Sequence, residues 1–513
     1  MQDARRKIQD FFFKKPNLSL FLVGAAATLA LPPLNILPLG FFSLAFLLHQ
    51  LICAEAAHQA FARGACWGLG YFIFGLYWVS FALTLHWPEF AWLMPFSILG
   101  LPGLMTFYVA LMGAGLFTLA QRFENKKLAT ILFFPVFWTG SEWLRGNAFT
   151  GFPWNLIGTT FTDFTPLFQT AAIIGVYGLG FVIAAITSLW MASYELPKSK
   201  FALQIICVAI IAVMLGFGYW RTAEPVLPTK TLHVRIVQPN ISQEGKWDLA
   251  RRTGILNTLL RLTAEPAARP PDIVVWPEAA APFILAETPN VRMAIARAMP
   301  PGATLITGAI RRDSHGQFFN SIEYLDSSGS ILGHYDKSHL VPFGEYMPFA
   351  KYIPLPAVAQ FFGDMGRGPG PQTQFVDGAA ISPLICYEAI FPGEVTNIAP
   401  MRPQLLVNVT DDAWYGKTAG PHQHLAEVRA RAVEEGIPLI RSANTGISAA
   451  ADRYGRVTAE LPFGTEGVID TEVQLATNTS PPPAAGGGFY GYLGALMLVY
   501  LFGSIFLLKT KKL

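Results

Sequence analysis

Long apolar runs constrain this chain more than any other feature of its sequence. A helix needs about 20 apolar residues to cross the hydrocarbon core of a bilayer. Runs of this kind with few charges occur eight times, at 17–34, 36–53, 64–84, 90–120, 128–144, 166–193, 201–220 and 487–508. Only 14% of the 513 residues are charged, against roughly a quarter in an ordinary soluble domain. We therefore predict a polytopic α-helical membrane bundle with eight spans, seven before a water-exposed region and one after it.

The lysines and arginines between these runs are distributed unequally. One set of ends and loops carries 14 of them, which are Arg5, Arg6, Lys7, Lys14, Lys15, Arg63, Arg122, Lys126, Lys127, Lys198, Lys200, Lys509, Lys511 and Lys512. The alternate short loops carry Arg145 alone. Because basic loops remain in the cytoplasm, we expect a multi-pass protein of the bacterial inner membrane, with both termini cytoplasmic and residues 221–486 periplasmic. A cleaved signal peptide over residues 1–34 is the less favoured alternative, since the next apolar run follows almost at once.

The exported region has a different pattern, in which short β-branched runs alternate with helical stretches. This pattern is typical of an α/β fold. The predicted strands are 232–238, 273–276, 303–310, 321–326, 331–335, 379–385, 405–409, 438–442 and 447–452, and the predicted helices are 248–264, 291–299, 392–398 and 422–435. The predicted domains are residues 1–222 with seven transmembrane helices, an exported α/β domain at 230–476, and residues 477–513 with a Pro/Gly linker, the eighth helix and a basic cytoplasmic tail.

Candidate catalytic side chains directly follow predicted strands. Glu278 follows Ile-Val-Val-Trp-Pro, Cys386 follows Ser-Pro-Leu-Ile, and Lys337 lies between them after another strand. The carboxyl ends of strands are where the chemistry of α/β sheets collects. Cys386 is also the one cysteine outside the apolar runs, so it has no disulfide partner in the exported region. On this ground alone, a reactive nucleophile and an inert buried cysteine are equally supported.

Three strings of residues carry a resemblance to a known family. WPE ending at Glu278, YDKSHLVPFGE with Lys337 and Glu345, and ICYE with Cys386 resemble the nitrilase superfamily. With the eight apolar runs and the FTGFPWN loop at 149–155, the whole chain is similar to the bacterial apolipoprotein N-acyltransferase family. The resemblance implies a nitrilase-like αββα sandwich for the exported domain, without a cofactor and without a metal.

The resemblance also implies a reaction and its partners. A membrane phospholipid, typically phosphatidylethanolamine, would acylate the free α-amine of a diacylglyceryl-cysteine lipoprotein through an enzyme thioester, as the final step of lipoprotein maturation. Cys386 matches the family's nucleophile, Glu278 its general base and Lys337 its oxyanion lysine. Further positions near the family's site are matched by Glu345, Glu388, Tyr387 and Trp247. The net charge of +3 is too small to indicate a nucleic-acid partner.

These residue types suffice for acyl transfer through a covalent intermediate. Cys386 supplies a thiol, and an ammonium at Lys337 would favour the thiolate. Glu278 would move the protons of both half-reactions. Lys337 and the backbone N–H of Tyr387 would stabilise the tetrahedral oxyanion.

Four other charged side chains admit a structural explanation. Glu345 would hold Lys337 or Glu278 in place, and a loop-capping ion pair is an equal alternative. Glu388 is assigned the structural role. For Glu142 and Arg145, near the outer end of the fifth apolar run, function and structural pairing are equally supported.

The helix predicted at 422–435 carries several polar residues. His422 and His424 are two positions apart, so they do not share a helix face and a metal site is not expected. We expect both histidines to be surface residues. We expect residues 427–435 to form a solvated helix face with local ion pairs.

Residues 348–366 are unusually apolar for an exposed segment. Phe361 and Phe362 lie in this segment, and Trp414 follows a predicted strand. Since both implied substrates are lipid-anchored, we expect these side chains to control access to the site. The alternative is packing against the core of the exported domain.

Two rival functions follow from the same sequence. A membrane-tethered nitrilase-type amidohydrolase would share Glu278, Lys337 and Cys386 and would differ only in using water as the acceptor. The eight apolar runs favour a lipid substrate instead. A transporter or scaffold with a vestigial exported domain is disfavoured by the intact set of three residues.

Overall fold

The chain divides into a helical unit, Met1–Ala223 with Gly488–Leu513, and a sandwich unit, Glu224–Gly487. The computed structural model describes residues 15–84, 91–223, 228, 230–348, 364–397, 401–475 and 481–510. Within these ranges the helices of ten or more residues are α1 (Pro16–Ala27), α2 (Leu37–Ile52), α3 (Ala57–Leu76), α4 (Met94–Ala120), α5 (Lys126–Asn147), α6 (Ala171–Glu195), α7 (Lys200–Ala223), α8 (Arg252–Thr263), α9 (Pro289–Ala298), α10 (Gly420–Glu435) and α11 (Phe489–Thr510).

The helical unit is built from the apolar runs, and a helix occurs at each of the eight. Among the residues that the structure describes, five segments are long and apolar enough to cross a membrane, namely Ala57–Thr84, Ala91–Ala120, Ala171–Glu195, Pro197–Ala223 and Phe489–Lys509. The apolar helices Pro16–Ala30 and Leu37–Ile52 are shorter. The chain is therefore a membrane-integrated protein, whereas spanning by all eight helices stays a prediction.

Two charged residues of α5 hold the loop that follows this helix. Arg145 Nη1 donates to the carbonyl oxygens of Phe152 and Trp154 at 2.7 and 2.6 Å. Glu142 Oε1 accepts from the backbone N–H of Ile157 at 2.7 Å. Both side chains are buried, so these bonds satisfy loop backbone that water does not reach. These bonds give both residues a structural role at the loop backbone, whereas the pairing expected between the two side chains stays a prediction.

Twelve strands form two six-stranded sheets in the described part of the sandwich unit. They are β1 (Lys230–Gln238), β2 (Ile273–Trp276), β3 (Thr304–Arg312), β4 (Phe318–Leu325), β5 (Ile331–Asp336), β6 (Gln374–Val376), β7 (Ala379–Ile385), β8 (Leu405–Thr410), β9 (Leu439–Ala443), β10 (Ser448–Ala451), β11 (Val457–Leu461) and β12 (Gly467–Leu475). Sheet one has the order β12-β1-β2-β3-β4-β5, and sheet two has the order β11-β10-β9-β8-β7-β6. Strands β1 to β3 and strands β7 to β9 are parallel, and the other neighbours are antiparallel.

The two sheets pack face to face and helices cover their outer faces. Ser442 of β9 donates to the carbonyl oxygen of Val237 in β1 at 2.9 Å, which ties the sheets together. Helices α8 and α9 cover sheet one through an apolar cluster that includes Leu259 and Trp276. Helix α10 covers sheet two through a second cluster that includes Val428. The predicted nitrilase-like αββα sandwich is thus confirmed.

The sheet edges and one helix differ from the sequence prediction. Strands β6, β11 and β12 were not predicted, because they are short or carry exposed polar residues at alternate positions. The helix predicted at 392–398 is wrong over residues 392–397, which form turns and irregular structure. Gly393 has φ +79, a left-handed conformation that a right-handed helix cannot contain.

Helix α10 is buried rather than solvated. Glu427, Arg431, Glu434 and Glu435 are each at most 2% exposed, and His424 is fully buried, so these surface predictions are wrong. His422, two positions earlier, is exposed as expected. The reason is that one face of α10 packs on sheet two, while the chain after β12 returns to it. The backbone N–H of Gly486 donates to Glu435 Oε2 at 3.0 Å.

Candidate active site

The ends of four strands place the candidate side chains in one region of the sandwich unit. Glu278 comes two residues after β2, while Lys337, Cys386 and Asp411 directly follow β5, β7 and β8. The turn that carries Glu278 lies close against β3. A Cβ atom at Gly308 would lie 2.5 Å from Glu278 Cα, so only glycine fits at this position.

Glu278 is buried and accepts hydrogen bonds at both carboxylate oxygens. Asn320 Nδ2 donates to Oε1 at 2.7 Å, and the backbone N–H of Asp411 donates to Oε2 at 2.9 Å. Lys337 Nζ lies 3.5 Å from Oε1. Burial raises the pKa of Glu278 and the neighbouring Glu345 and Asp411 add to the increase, against the lowering effects of Lys337 and Asn320. A carboxylate with a raised pKa can accept and return a proton near neutral pH.

Lys337 is 1% exposed and lies between two carboxylates. Its Nζ is 2.9 Å from Glu345 Oε2 and 3.5 Å from Glu278 Oε1. Burial alone would lower the pKa of Lys337, but these carboxylates outweigh burial and hold the pKa above its ordinary range. Glu345 is fixed in turn by Asn320 Nδ2 and by the backbone N–H of Val341, at 2.7 and 2.8 Å. Lys337 is therefore a permanent ammonium in a fixed position.

Cys386 directly follows β7 and begins the 3₁₀ turn Cys386–Ile390, so it forms a sharp elbow in the chain. Its φ is +49, which non-glycine residues rarely adopt and which is common at active sites. The residue is buried, and burial raises the pKa of the thiol; Glu278 raises it further. Lys337 lowers the same pKa, as expected from the sequence, but does not compensate. The resting thiol therefore keeps its proton and needs a base.

Glu388 connects the loop that bears Lys337 to the elbow that bears Cys386. Its Oε1 accepts from the backbone N–H of Ser338 at 2.6 Å. Its Oε2 accepts from the backbone N–H of Ile385 at 2.9 Å. Because the side chain is buried, these bonds hold the two loops together without competition from water. The contacts agree with the structural role expected for Glu388.

Tyr387 follows the elbow and packs in an aromatic cluster. Its ring lies edge-on to Phe391 and His339, with centroid distances of 5.1 and 5.7 Å. Its backbone N–H lies in the peptide group that joins Cys386 to Tyr387. The side chain is thus positioned to support the elbow rather than to react.

The arrangement can perform nucleophilic acyl chemistry. A thiol, a carboxylate and an ammonium interact electrostatically with one another at Cys386, Glu278 and Lys337. Groups of these three types can serve as the nucleophile, base and oxyanion stabiliser of a covalent acyl-transfer mechanism.

Comparison with known proteins assigns this chain to a family. Residues 233–480 match the carbon-nitrogen hydrolase family, and residues 23–189 match the apolipoprotein N-acyltransferase N-terminal domain. The apolipoprotein N-acyltransferase of Brucella melitensis is 39% identical over 480 residues, which are 88% of this chain and 89% of that protein. That of Rhizobium rhizogenes is 38% identical over 495 residues, 91% of each chain. The chain belongs to the apolipoprotein N-acyltransferase family. It is an acyltransferase with a carbon-nitrogen hydrolase domain.

The structure describes some of the residues that we expect to control access in this member of the apolipoprotein N-acyltransferase family. Trp247 and Trp414 are 46% and 39% exposed. Trp247 borders a groove of about 340 Å³ that Phe283 also lines. Phe361 and Phe362 lie outside the described residues. A role of these four aromatic residues in substrate binding or access stays a prediction.

Three buried side chains that the sequence analysis did not select complete the site. Asn320 bonds both Glu278 and Glu345. Lys246 Nζ forms a 2.6 Å ion pair with Asp411 Oδ2 and lies 3.4 Å from the backbone oxygen of Glu278. Asp411 directly follows β8, the same signal that Cys386 carries after β7. Asn320 lies one position before a predicted strand and Lys246 lies in a loop, so neither carried such a signal.

Proposed function

We propose that this chain transfers a fatty acyl chain from a membrane phospholipid of the phosphatidylethanolamine type to the N-terminal α-amine of a diacylglyceryl-cysteine lipoprotein. The observation that carries the proposal is the buried grouping of Cys386, Glu278 and Lys337 in a member of this family. Relatives that match nearly the whole chain are named apolipoprotein N-acyltransferases. The apolar helices would keep the enzyme in the membrane that holds both lipid-anchored substrates.

The first half-reaction forms a thioester. Glu278 accepts the thiol proton as the sulfur of Cys386 attacks the ester carbonyl carbon of the phospholipid. Lys337 and the backbone N–H of Tyr387 donate to the oxyanion of the tetrahedral intermediate. The intermediate collapses, the bond to the glycerol oxygen breaks, and that oxygen takes the proton from Glu278. Lysophospholipid leaves and the acyl chain stays on sulfur.

The second half-reaction forms an amide. The α-amine of the lipoprotein attacks the thioester carbon, and Glu278 accepts a proton from the attacking nitrogen. The carbon–sulfur bond breaks, and Glu278 returns the proton to the sulfur of Cys386. A bound amine has a high effective concentration, which favours it over water as the acceptor.

The domain organisation and location are part of the same proposal. Residues 1–222 carry seven transmembrane helices, residues 230–476 form a periplasmic catalytic domain, and residues 477–513 supply the linker, the eighth helix and a cytoplasmic tail. The unequal distribution of loop lysines and arginines supports this orientation in the bacterial inner membrane.

The test is intact-mass analysis of the detergent-solubilised enzyme with phosphatidylethanolamine alone. We expect an acyl adduct that hydroxylamine removes, together with free lysophospholipid. Adding a diacylated lipopeptide should then move the acyl chain to the peptide amine. Cys386→Ala should abolish both steps, whereas the matched variant Cys53→Ala, in an exposed position of the helical unit, should retain them.

Two outcomes would contradict the mechanism or the function. Acylation of the lipopeptide without any adduct on Cys386 would require direct transfer. Release of free fatty acid at the same rate with and without lipopeptide would favour the amidohydrolase-type alternative, in which water is the acceptor.

A further inference from the structure

His424 contacts the backbone of Cys386, and the proposed reaction gives it no role. The side chain is fully buried on α10. Its Nε2 is 3.3 Å from the backbone carbonyl oxygen of Cys386. Its Nδ1 is 3.0 Å from Asp412 Oδ1 and 3.1 Å from Arg441 Nη2.

The partners of His424 are themselves fixed. Arg441 Nη2 donates to Asp412 Oδ2 at 2.6 Å, and Nη1 bonds Asn408. Asp412 Oδ1 also accepts from the hydroxyl of Thr410 at 2.9 Å. All of these residues are at most 1% exposed. The imidazole therefore has one orientation, with its Nε2 edge directed at the elbow.

The carbonyl that His424 contacts belongs to the same planar peptide as the N–H of Tyr387. In a trans peptide the C=O and the N–H point in opposite directions, so fixing one fixes the other. A hydrogen bond to the carbonyl also polarises the peptide and makes its N–H a better donor.

We propose that His424 is a positioning residue, whose Nε2–H donates to the Cys386 carbonyl and thereby aims the Tyr387 N–H at the oxyanion. The inference rests on the proposed function in one respect, that Cys386 is the residue acylated. The bond would also stabilise the strained φ of +49 at Cys386, because without support the Cys386–Tyr387 peptide could rotate out of alignment.

The proton on Nε2 follows from the surroundings of the ring. The Cys386 carbonyl can only accept, so a favourable contact needs hydrogen on Nε2. At Nδ1 the two neighbours make opposite demands, since Asp412 Oδ1 can only accept and Arg441 Nη2 can only donate. Asp412 already accepts from Arg441 and from the Thr410 hydroxyl, so a proton on Nε2 leaves its carboxylate with partners and lets Nδ1 accept from Arg441. Burial and the Arg441 guanidinium keep the pKa of His424 below its ordinary value, which favours the neutral ring.

Two substitutions distinguish the contact made by Nε2 from the contacts made by Nδ1. In His424→Gln the amide nitrogen can reach the place of Nε2 and keep the donor to Cys386. In His424→Asn the amide lies at the place of Nδ1, so contact with Asp412 and Arg441 can persist while the donor to Cys386 is lost. His422→Gln, at the exposed position on the same helix, is the matched control.

Two reactions of the full-length enzyme are measured for each variant. The first is the burst of p-nitrophenolate from p-nitrophenyl butyrate, which requires an oxyanion. The second is alkylation of Cys386 by iodoacetamide, which does not. We expect His424→Asn to slow the burst by about 10² with little change in alkylation, since loss of one oxyanion donor costs about that much. His424→Gln should stay within about tenfold of wild type, and His422→Gln should equal it.

Equal losses of burst and alkylation in His424→Asn would show a purely structural role and overturn the inference. So would a larger burst loss in the Gln variant than in the Asn variant, which would place the proton on Nδ1. If the Asn variant does not fold, the burst-to-alkylation ratio of the Gln variant decides alone. Absence of acylation by phospholipid in wild type would contradict the proposed donor, while the p-nitrophenyl ester would still test His424.

Discussion

At the residue scale, the proton to be transferred and the positive charge of the candidate site lie on different side chains, namely Cys386 and Lys337. Burial raises the pKa of both Cys386 and Glu278, while the carboxylates around Lys337 keep that residue an ammonium. In the proposed mechanism the thiol therefore stays protonated until Glu278 removes its proton in the course of attack. A protonated, buried thiol is also a poor target for oxidation, which would suit the proposed periplasmic location of the sandwich unit.

Asn320 should set the pH range in which Glu278 acts. Its Nδ2 donates to Glu278 Oε1 at 2.7 Å and lowers the pKa of that carboxyl. Asn320→Ala removes the hydrogen bond that stabilises the Glu278 anion, so the pKa of Glu278 rises. As the pH falls, the ionised, basic form of Glu278 is then lost at a higher pH than in wild type. We expect the acid limb of kcat/KM to move to higher pH, and the value at neutral pH to fall by about tenfold.

The control for this shift is the alkaline side of the profile. There Glu278 is ionised in both enzymes, so Asn320→Ala should approach the wild-type rate as pH rises. A constant loss at every pH would mean that Asn320 only positions Glu278 and Glu345, and would contradict the electrostatic explanation.

At the element scale, strands followed by reactive residues could be predicted and long-range pairings could not. The apolar runs before Glu278 and Cys386 identify β2 and β7 because buried parallel strands are apolar throughout. Strand β12 pairs with β1, although it follows every other strand in the chain. Its alternating pattern contains Asp470 and Glu472, and only tertiary pairing makes it a strand. The burial of α10 likewise depends on the segment that returns after β12.

A buried arginine forms an ion pair across β1 and β12 and stabilises their pairing. Arg235 Nε and Nη2 donate to the two carboxylate oxygens of Asp470, both at 2.8 Å, and Arg235 is 1% exposed. Asp470→Ala leaves the buried guanidinium without this partner. Because Asp470 is 39% exposed, we expect a moderate loss of about 1–3 kcal/mol in stability, or roughly 2–6 °C in Tm measured by scanning fluorimetry.

Glu472→Ala is the matched control on the same strand. Glu472 is 57% exposed and lies 3.6 Å from Arg269, an exposed ion pair. Such pairs contribute about 0–1 kcal/mol. Equal Tm losses in the two variants would contradict the importance of the Arg235 pair.

At the scale of the whole molecule, the sandwich unit is inserted in the sequence between α7 and α11. Apolar length and composition predict where the helices lie, because a bilayer accepts little else. They do not fix which side of the membrane receives the inserted unit. The prediction of that side rests on the lysines and arginines of the connections, of which 14 fall in one set of ends and loops and Arg145 alone in the alternate short loops.

Fusions of alkaline phosphatase test this orientation, because the reporter forms its disulfides only in the oxidising periplasm. A fusion within residues 477–488 follows the whole sandwich unit and should be active. Fusions within the basic loop 122–127 and after Leu513 should be inactive, since both positions lie on the side rich in lysine and arginine. The three fusions must be expressed equally, as shown by immunoblotting. An active fusion after Leu513 with an inactive one at 477–488 would reverse the topology and place Cys386 in the reducing cytoplasm, where a lone thiol needs no protection from oxidation.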